Sequence, residues 1–260
     1  NIFDIAELKK RLGGKDVFLL EDAAQSLGGI LSGRKTGDMG DASIVSFGAG
    51  KTIDCGGGGA VLTDSDEFYE RCLEVLSTLS DDPSARTTLR NEFMKEMFAL
   101  NKSSGDRASF IDGKDELKRK YKDAYVFGVT EKMVDDIASA FDGIDNILAG
   151  TKTKAALIAE LLSSNTKATL PVTLGEPVYW RYSFLVNGDR DAVFNKLSER
   201  KISASRFFSP LHVEYDLPDE DYSDSIRLFD KVINVRLDFA ASLAQEVAET
   251  LDNTIDKYAG

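Results

Sequence analysis

A lysine in a glycine-rich segment is the residue of this chain that points most clearly to chemistry. Lys51 follows the run Ala42 to Phe47, which is typical of a strand, and precedes four glycines, Gly56 to Gly59. Two chemistries are open to a lysine in this setting. It can reach the phosphates of a nucleotide, or its amine can form a Schiff base with a carbonyl group.

The first chemistry fails on the residues around Lys51. Gly50, Lys51 and Thr52 end like a phosphate-binding loop, but that motif needs an earlier glycine where this chain has Val45. The motif also opens a helix after the threonine. Because glycine costs about 1 kcal/mol per residue inside a helix, the four glycines argue against one. The amine chemistry is the better hypothesis.

Acidic residues stand upstream, after another predicted strand. Asp16 to Leu20 is a short apolar run typical of a buried strand, and Glu21 and Asp22 follow it. Open α/β sheets bind ligands at the carboxyl ends of their strands. A pyridoxal phosphate site needs an anion beside the pyridine nitrogen, a lysine for the Schiff base and donors for the phosphate. Asp22, Lys51 and Ser46 provide one candidate for each. The alternative is that these are solvated or capping residues, which is the more common role of an isolated Asp, Ser or Lys.

The same region resembles the DegT/DnrJ/EryC1/StrS aminotransferases, fold-type-I pyridoxal phosphate enzymes that mostly act on nucleotide-linked keto sugars. The resemblance is dense from Asp16 to Arg71. Its blocks stand in the family's order: Glu21 to Gly28, Gly33 to Asp41, Ser46 to Lys51, Gly56 to Thr63 and, later, Tyr179 to Arg190, Lys201 to Ser203 and Ser209 to His212. The resemblance implies an α/β fold, the C-terminal part of a fold-type-I pyridoxal phosphate-dependent transferase.

By position, the resemblance also implies roles for individual residues. Lys51 would form the Schiff base, Asp22 would pair with the pyridine nitrogen, Gln25 would pack near the ring and Ser46 would bind the phosphate. The freed amine of Lys51 would then move the proton during amino transfer. Members of the family in which this lysine is replaced are dehydratase-like, and Lys51 argues against that reaction.

A departure from the family lies at Gly128 to Met133, where the family has a Gly-x-Asn-x-Arg-Met pattern whose asparagine reaches the partner subunit's cofactor phosphate. Thr130 keeps a hydroxyl donor, and Lys132 keeps a charge without arginine's fork geometry. Thr130 is a candidate cofactor residue, although a helix cap there is an equally good interpretation. For His212, the only histidine, a structural role is a better interpretation than acid–base catalysis.

The composition argues against several classes of protein. A net charge of −12 argues against nucleic acid or anionic membrane as a partner. No apolar run approaches the ~20 residues of a membrane span. No signal peptide is visible, and Cys55 and Cys72 do not make a disulfide framework. We expect a cytoplasmic protein.

Periodicity predicts the remaining elements. Helices are predicted at 5–12, 66–79 and 242–258, and a further helix begins at its cap Asp189 and ends at Arg200. One long helix is predicted over 130–162, with bends at Gly143 and Gly150. Strands are predicted at 178–186 and 233–239, and loops at 102–106 and 112–115. We expect a partial cofactor-binding large domain at 1–129, with a charged helical and loop segment near 81–127, a linking helix at 130–164 and a small α/β domain at 165–260.

In the family, the helix and strand with which this chain opens belong to the middle of the large domain. We therefore expect the C-terminal portion of a longer enzyme or one piece of a split one, so that full activity needs more than this chain alone. The expected partner is a second copy, in a homodimer, or a complementary N-terminal chain. The resemblance implies transfer of an amino group from an amino acid, expected to be glutamate, to a keto sugar carried on a nucleotide. The alternative is a non-catalytic scaffold or partner chain that keeps the aminotransferase fold.

Overall fold

A computed structural model describes residues 2–79, 83–103, 107–206, 210, 212, 215 and 217–260. The chain divides into two compact units. Unit 1 comprises Asn1–Ser65, Asp135–Phe208 and Asp224–Gly260, and unit 2 comprises Asp66–Val134 and Ser209–Ser223. The division into 1–129, 130–164 and 165–260 stays a prediction.

The described residues form both helices and strands. The helices are α1 (Ile5–Leu12), α2 (Asp66–Leu76), α3 (Pro83–Ser103), α4 (Arg107–Lys120), α5 (Glu131–Phe141), α6 (Ile144–Leu162), α7 (Arg190–Glu199), α8 (Ser223–Lys231) and α9 (Ala244–Tyr258). The strands are β1 (Leu20–Asp22), β2 (Ile30–Leu31), β3 (Arg34–Lys35), β4 (Ala42–Ser46), β5 (Gly59–Thr63), β6 (Ala168–Thr169), β7 (Arg181–Val186), β8 (Ala204–Ser205) and β9 (Val232–Arg236). Within these ranges, no helix has the length and apolar character needed to cross a membrane.

The first sheet of unit 1 has β4 at its centre. β1 runs parallel to β4, and β5 runs antiparallel to it on the other side. The predicted strand Asp16–Leu20 is misplaced, because β1 is Leu20–Asp22 and the side chains of Val17 and Phe18 are exposed. The two acids therefore lie within the strand rather than after it.

The buried carboxylate of Glu21 connects β1 with the loop between β3 and β4. It accepts hydrogen bonds from the backbone N–H groups of Gly37, at 2.8 Å, and Met39, at 3.0 Å. The loop continues to Gly40, where a β-carbon would lie 2.6 Å from a backbone carbonyl oxygen. A buried carboxylate needs such donors, so the acid and the glycines of this block hold one local structure together.

The second sheet of unit 1 is antiparallel, with strand order β6-β7-β9-β8. Three helices, α6, α7 and α9, pack their apolar side chains against one face of it. Fully buried members of this core include Phe184, Ile158, Leu197, Ile233 and Leu251. The predicted strand in 178–186 and the helix capped by Asp189 are confirmed, whereas β6 and α8 were not predicted.

The predicted long helix over 130–162 is two helices. α5 ends at Phe141, and Gly143 is the N-cap residue of α6. The predicted bend at Gly143 is therefore a complete break. Gly150 lies inside α6, so the helix is not broken there, and a bend at this residue stays a prediction.

Unit 2 contains α3 and α4, which pack on each other. Phe93 contacts the rings of Tyr121 and Tyr125 edge-on. The predicted loop at 112–115 is wrong because these residues belong to α4. A β-carbon at Gly113 would lie 2.6 Å from the side chain of Leu100, so this glycine allows close helix packing rather than a turn.

His212, also in unit 2, is buried and stacks on Tyr222 with ring centroids 4.5 Å apart. This contact supports the structural role. In the predicted loop at 102–106, residues 102 and 103 belong to α3, and the other three lie outside the described residues. Residues 209 and 211, in the last block of the resemblance, also lie outside them.

We expect Glu21→Ala to lower the free energy of unfolding by about 2–3 kcal/mol, because it leaves two backbone donors without their charged acceptor. Urea unfolding followed by circular dichroism measures the change. Glu160→Ala, which removes an exposed glutamate from α6, is the matched control and should shift stability by no more than about 0.5 kcal/mol. Equal effects of the two variants would show that the Glu21 contacts contribute nothing.

Candidate functional site

The segment Gly48 to Asp54 presents Lys51 beyond the end of β4. Two hydrogen bonds of the Phe47 backbone close the base of this segment. The Phe47 N–H donates to the carbonyl oxygen of Gly58 at 3.0 Å, and its carbonyl oxygen accepts from the Cys55 N–H at 2.9 Å. The segment is therefore a closed loop with Lys51 near its middle.

Two neighbours of Lys51 hold this loop in shape. The carboxylate of Asp54 accepts from the backbone N–H groups of Gly50, at 2.7 Å, and Gly56, at 2.9 Å. Ile53 is buried and packs in the same cluster as the core of the first sheet. Gly50 has φ 78°, a conformation that favours glycine immediately before the lysine. Lys51 is thus fixed at the backbone and free to extend its side chain.

The chain that leaves the loop enters β5 at Gly59 and not a helix. A phosphate-binding loop places its phosphates at the N-terminus of the helix that follows. The rejection of that motif is therefore confirmed.

Asp22 reaches the same edge of the sheet from β1. Its carboxylate accepts a hydrogen bond from the Ala24 N–H at 3.0 Å, which fixes the side chain at the end of the strand. Burial lowers the pKa of the Lys51 amine, and the nearby charge of Asp22 raises it. The net pKa of Lys51 lies below the ordinary lysine value, because burial has the larger effect.

A cavity of about 660 Å³ brings three of the predicted residues together. Asp22, Gln25 and Lys51 all line it. An amine with a lowered pKa, a carboxylate and an amide therefore face one volume large enough for a small molecule. This arrangement can bind a carbonyl compound at the amine and a cationic ring nitrogen at the carboxylate.

The other two predicted residues lie outside the lining of this cavity. The Ser46 hydroxyl accepts from the Gly48 N–H at 3.3 Å, within the turn after β4. The Thr130 hydroxyl, in unit 2, accepts from the Met133 N–H at 3.2 Å and so caps α5. Each hydroxyl keeps its own hydrogen for donation. Their roles as phosphate ligands stay predictions.

Two further residues of the site were not predicted. The Lys51 ammonium lies 5.3 Å from the ring centroid of Trp180, and the Arg181 guanidinium lies 4.6 Å from the Trp180 ring. Both residues line the cavity. The alternation of β7, with Arg181 and Ser183 on one face and Tyr182 and Phe184 in the core, was the available signal. It identifies the polar face of the strand but not the cavity that this face lines.

Comparison with known proteins identifies relatives of this chain. The model of the DegT/DnrJ/EryC1/StrS aminotransferase family matches residues 1–230. The GDP-perosamine synthase of Vibrio cholerae is 38% identical over 72 residues, which are 28% of this chain and 20% of that protein.

Two solved structures share the fold. An aminotransferase of this family from Brucella abortus superposes with a TM-score of 0.68 at 16% identity, over 100% of this chain and 62% of the other. The E coli GDP-4-keto-6-deoxy-D-mannose-3-dehydratase with bound hydrated PLP superposes with a TM-score of 0.68 at 15% identity, over 96% of this chain and 64% of the other. This chain spans less than two thirds of the length of each of these three proteins.

We expect Asp22→Asn to lower the pKa of the Lys51 amine further, because the substitution removes the negative charge that raises it. The pH dependence of Lys51 acetylation, followed by peptide mass spectrometry, gives the pKa. The wild-type midpoint should lie below 10.5, and the midpoint of the variant should lie below that of the wild type.

Asp64→Asn removes an exposed carboxylate elsewhere in unit 1 and serves as the control. An unchanged or raised midpoint in Asp22→Asn would contradict the electrostatic coupling of the two residues.

Proposed function

Because the chain belongs to the DegT/DnrJ/EryC1/StrS aminotransferase family, we propose that it acts as a pyridoxal phosphate-dependent aminotransferase. The Lys51 amine carries the proposal. It lines one cavity with Asp22, and its pKa is lowered by burial. Only a deprotonated amine attacks a carbonyl carbon, so a lowered pKa suits Lys51 to hold an aldehyde cofactor.

When bound, pyridoxal phosphate supplies an electron sink that makes the bond to the α-hydrogen of an amino acid easier to break. Lys51 would hold the cofactor through its amine. During amino transfer, the free amine of Lys51 would take the proton from the donor carbon and return it. Asp22 would stabilise a proton on the ring nitrogen, and Gln25, which lines the same cavity, would pack beside the ring.

Hydroxyl groups are the proposed ligands of the cofactor phosphate. Ser46 would donate from the turn after β4. Thr130 would donate to the site of a second copy, as the resemblance at Gly128 to Met133 implies. We therefore propose a homodimer, or assembly with a complementary chain, as the active form.

The proposed substrates are an amino acid, with glutamate as the donor, and a nucleotide-linked keto sugar as the acceptor. The similarity to a protein named GDP-perosamine synthase supports a sugar acceptor. Lys51 favours amino transfer over the dehydratase-like reactions of relatives in which the lysine is replaced. The proposed cellular location is the cytoplasm, with neither nucleic acid nor membrane as a partner.

We expect the purified chain, mixed with pyridoxal phosphate, to show an absorbance band at ~410–430 nm. Borohydride should then fix the cofactor on Lys51, as peptide mass spectrometry identifies. Lys51→Ala should lose the band, because the substitution removes the amine that lines the cavity.

Lys35→Ala, which removes an exposed lysine from β3, is the matched control and should leave the band unchanged. Fixation spread evenly over exposed lysines, with no preference for Lys51, would overturn the proposal and favour the non-catalytic scaffold.

A further inference from the structure

The second sheet has a polar face opposite its apolar core. Arg181 and Ser183 on β7, Asn234 on β9 and Ser205 on β8 share this face. Ser183 and Ser205 both lie beside Asn234 in the strand register, one on each side of β9. Three of the four residues also line the cavity that contains Lys51: Arg181, Ser183 and Asn234.

Hydrogen bonds link these side chains across three strands. The Ser183 hydroxyl donates to Asn234 Oδ1 at 2.6 Å, and Asn234 Nδ2 donates to the carbonyl oxygen of Ser205 at 3.5 Å. Arg181 Nη1 donates to the Ser205 hydroxyl at 2.8 Å. The network therefore holds the guanidinium of Arg181 in a defined orientation at the cavity wall.

Among the described residues, the guanidinium of Arg181 forms no ion pair with a carboxylate. The Nε atom of Arg181 is buried and has no hydrogen-bond partner in the part of the chain that the structure describes. Burial and the nearby Arg236 lower the pKa of Arg181, while Asp238 raises it. Arginine nevertheless stays protonated in proteins, so a positive charge and a buried donor remain on this wall.

An oxyanion is the ligand that this arrangement fits. The planar fork of a guanidinium matches the two oxygens of a carboxylate or phosphate, and the pairing is stronger than a neutral hydrogen bond. Trp180 stacks on the guanidinium and also faces the Lys51 ammonium. The same aromatic ring thus connects the anion-binding group with the reactive amine.

We infer that Arg181 binds an oxyanion of the substrate in the Lys51 cavity, with Trp180 as the platform that positions both cations. The oxyanion is a carboxylate of the amino-acid donor or a phosphate of the nucleotide sugar. The inference rests on the proposed function, because that function supplies these two substrates. Arg181 is on this view a binding residue, and Lys51 performs the proton transfer.

Tryptophan fluorescence tests the inference without the cofactor. Trp180 is the only tryptophan of the chain, so its emission reports directly on this cavity. Titrations use two sets of probes: succinate and 2-oxoglutarate for the carboxylate, and inorganic pyrophosphate and GDP for the phosphate. We expect saturable binding of at least one set. Arg181→Gln should then raise its dissociation constant at least about tenfold, the loss expected for a charged hydrogen-bonding partner.

Two further variants make the test specific. Arg181→Lys keeps the charge but loses the fork, so we expect it to bind more weakly than the wild type. Arg206→Gln removes the same charge from an exposed arginine that pairs with Asp191, and we expect it to bind like the wild type. Circular dichroism of each variant shows whether it is folded. The set of probes that Arg181→Gln weakens identifies the source of the oxyanion.

Two results would overturn the inference: no saturable binding of either set by the wild type, or equal affinities for wild type and Arg181→Gln. Its outcome is separate from that of the proposed function. A chain that carries the cofactor on Lys51 but binds oxyanions equally well without Arg181 keeps the function and loses the inference. A chain that never holds the cofactor on Lys51 but loses oxyanion binding in Arg181→Gln keeps the anion site alone.

Discussion

The parallel pairing of β1 with β4 is the constraint on which the candidate site depends. It aligns the carboxyl ends of two strands, with Asp22 beside Ile44, and the backbone continues this pairing when Ala23 donates to the Ile44 carbonyl oxygen at 2.9 Å. Asp22 is thereby brought to the edge from which the Lys51 loop emerges. The pKa of the Lys51 amine depends on this alignment, because burial lowers it and the nearby carboxylate of Asp22 raises it.

The shape of the Lys51 loop depends on a carboxylate and a buried side chain rather than on a helix. Asp54 binds two backbone donors, and Ile53 anchors the loop in the core of the sheet. The glycines around them allow conformations with positive φ. Glu21 has the same type of function one strand away. Both of these acids bind backbone donors. Asp22 accepts one backbone hydrogen bond, from Ala24, and also lines the cavity.

Short sequence patterns were sufficient to predict the site residues that lie at one edge of the first sheet. Asp22, Gln25 and Lys51 were predicted from strand ends and family blocks, and all three line one cavity. Trp180 and Arg181 were not predicted, because alternation along β7 shows which positions are polar but not what they face. At Gly113 the sequence predicted a loop where the structure has a helix. A glycine that a turn would favour is equally suited to close helix packing, and only the contact with Leu100 distinguishes the two.

The strand order β6-β7-β9-β8 has a consequence for the order of events during synthesis. β9 lies between β7 and β8 in the sheet, yet it is the last of the four to leave the ribosome. Until residue 236 has emerged, β8 lacks the neighbour with which it pairs, and Ser183 lacks Asn234. β7 and β8 must therefore wait for their shared neighbour while α8 is made, and the hydrogen bonds of Asn234 with Ser183 and Ser205 form late.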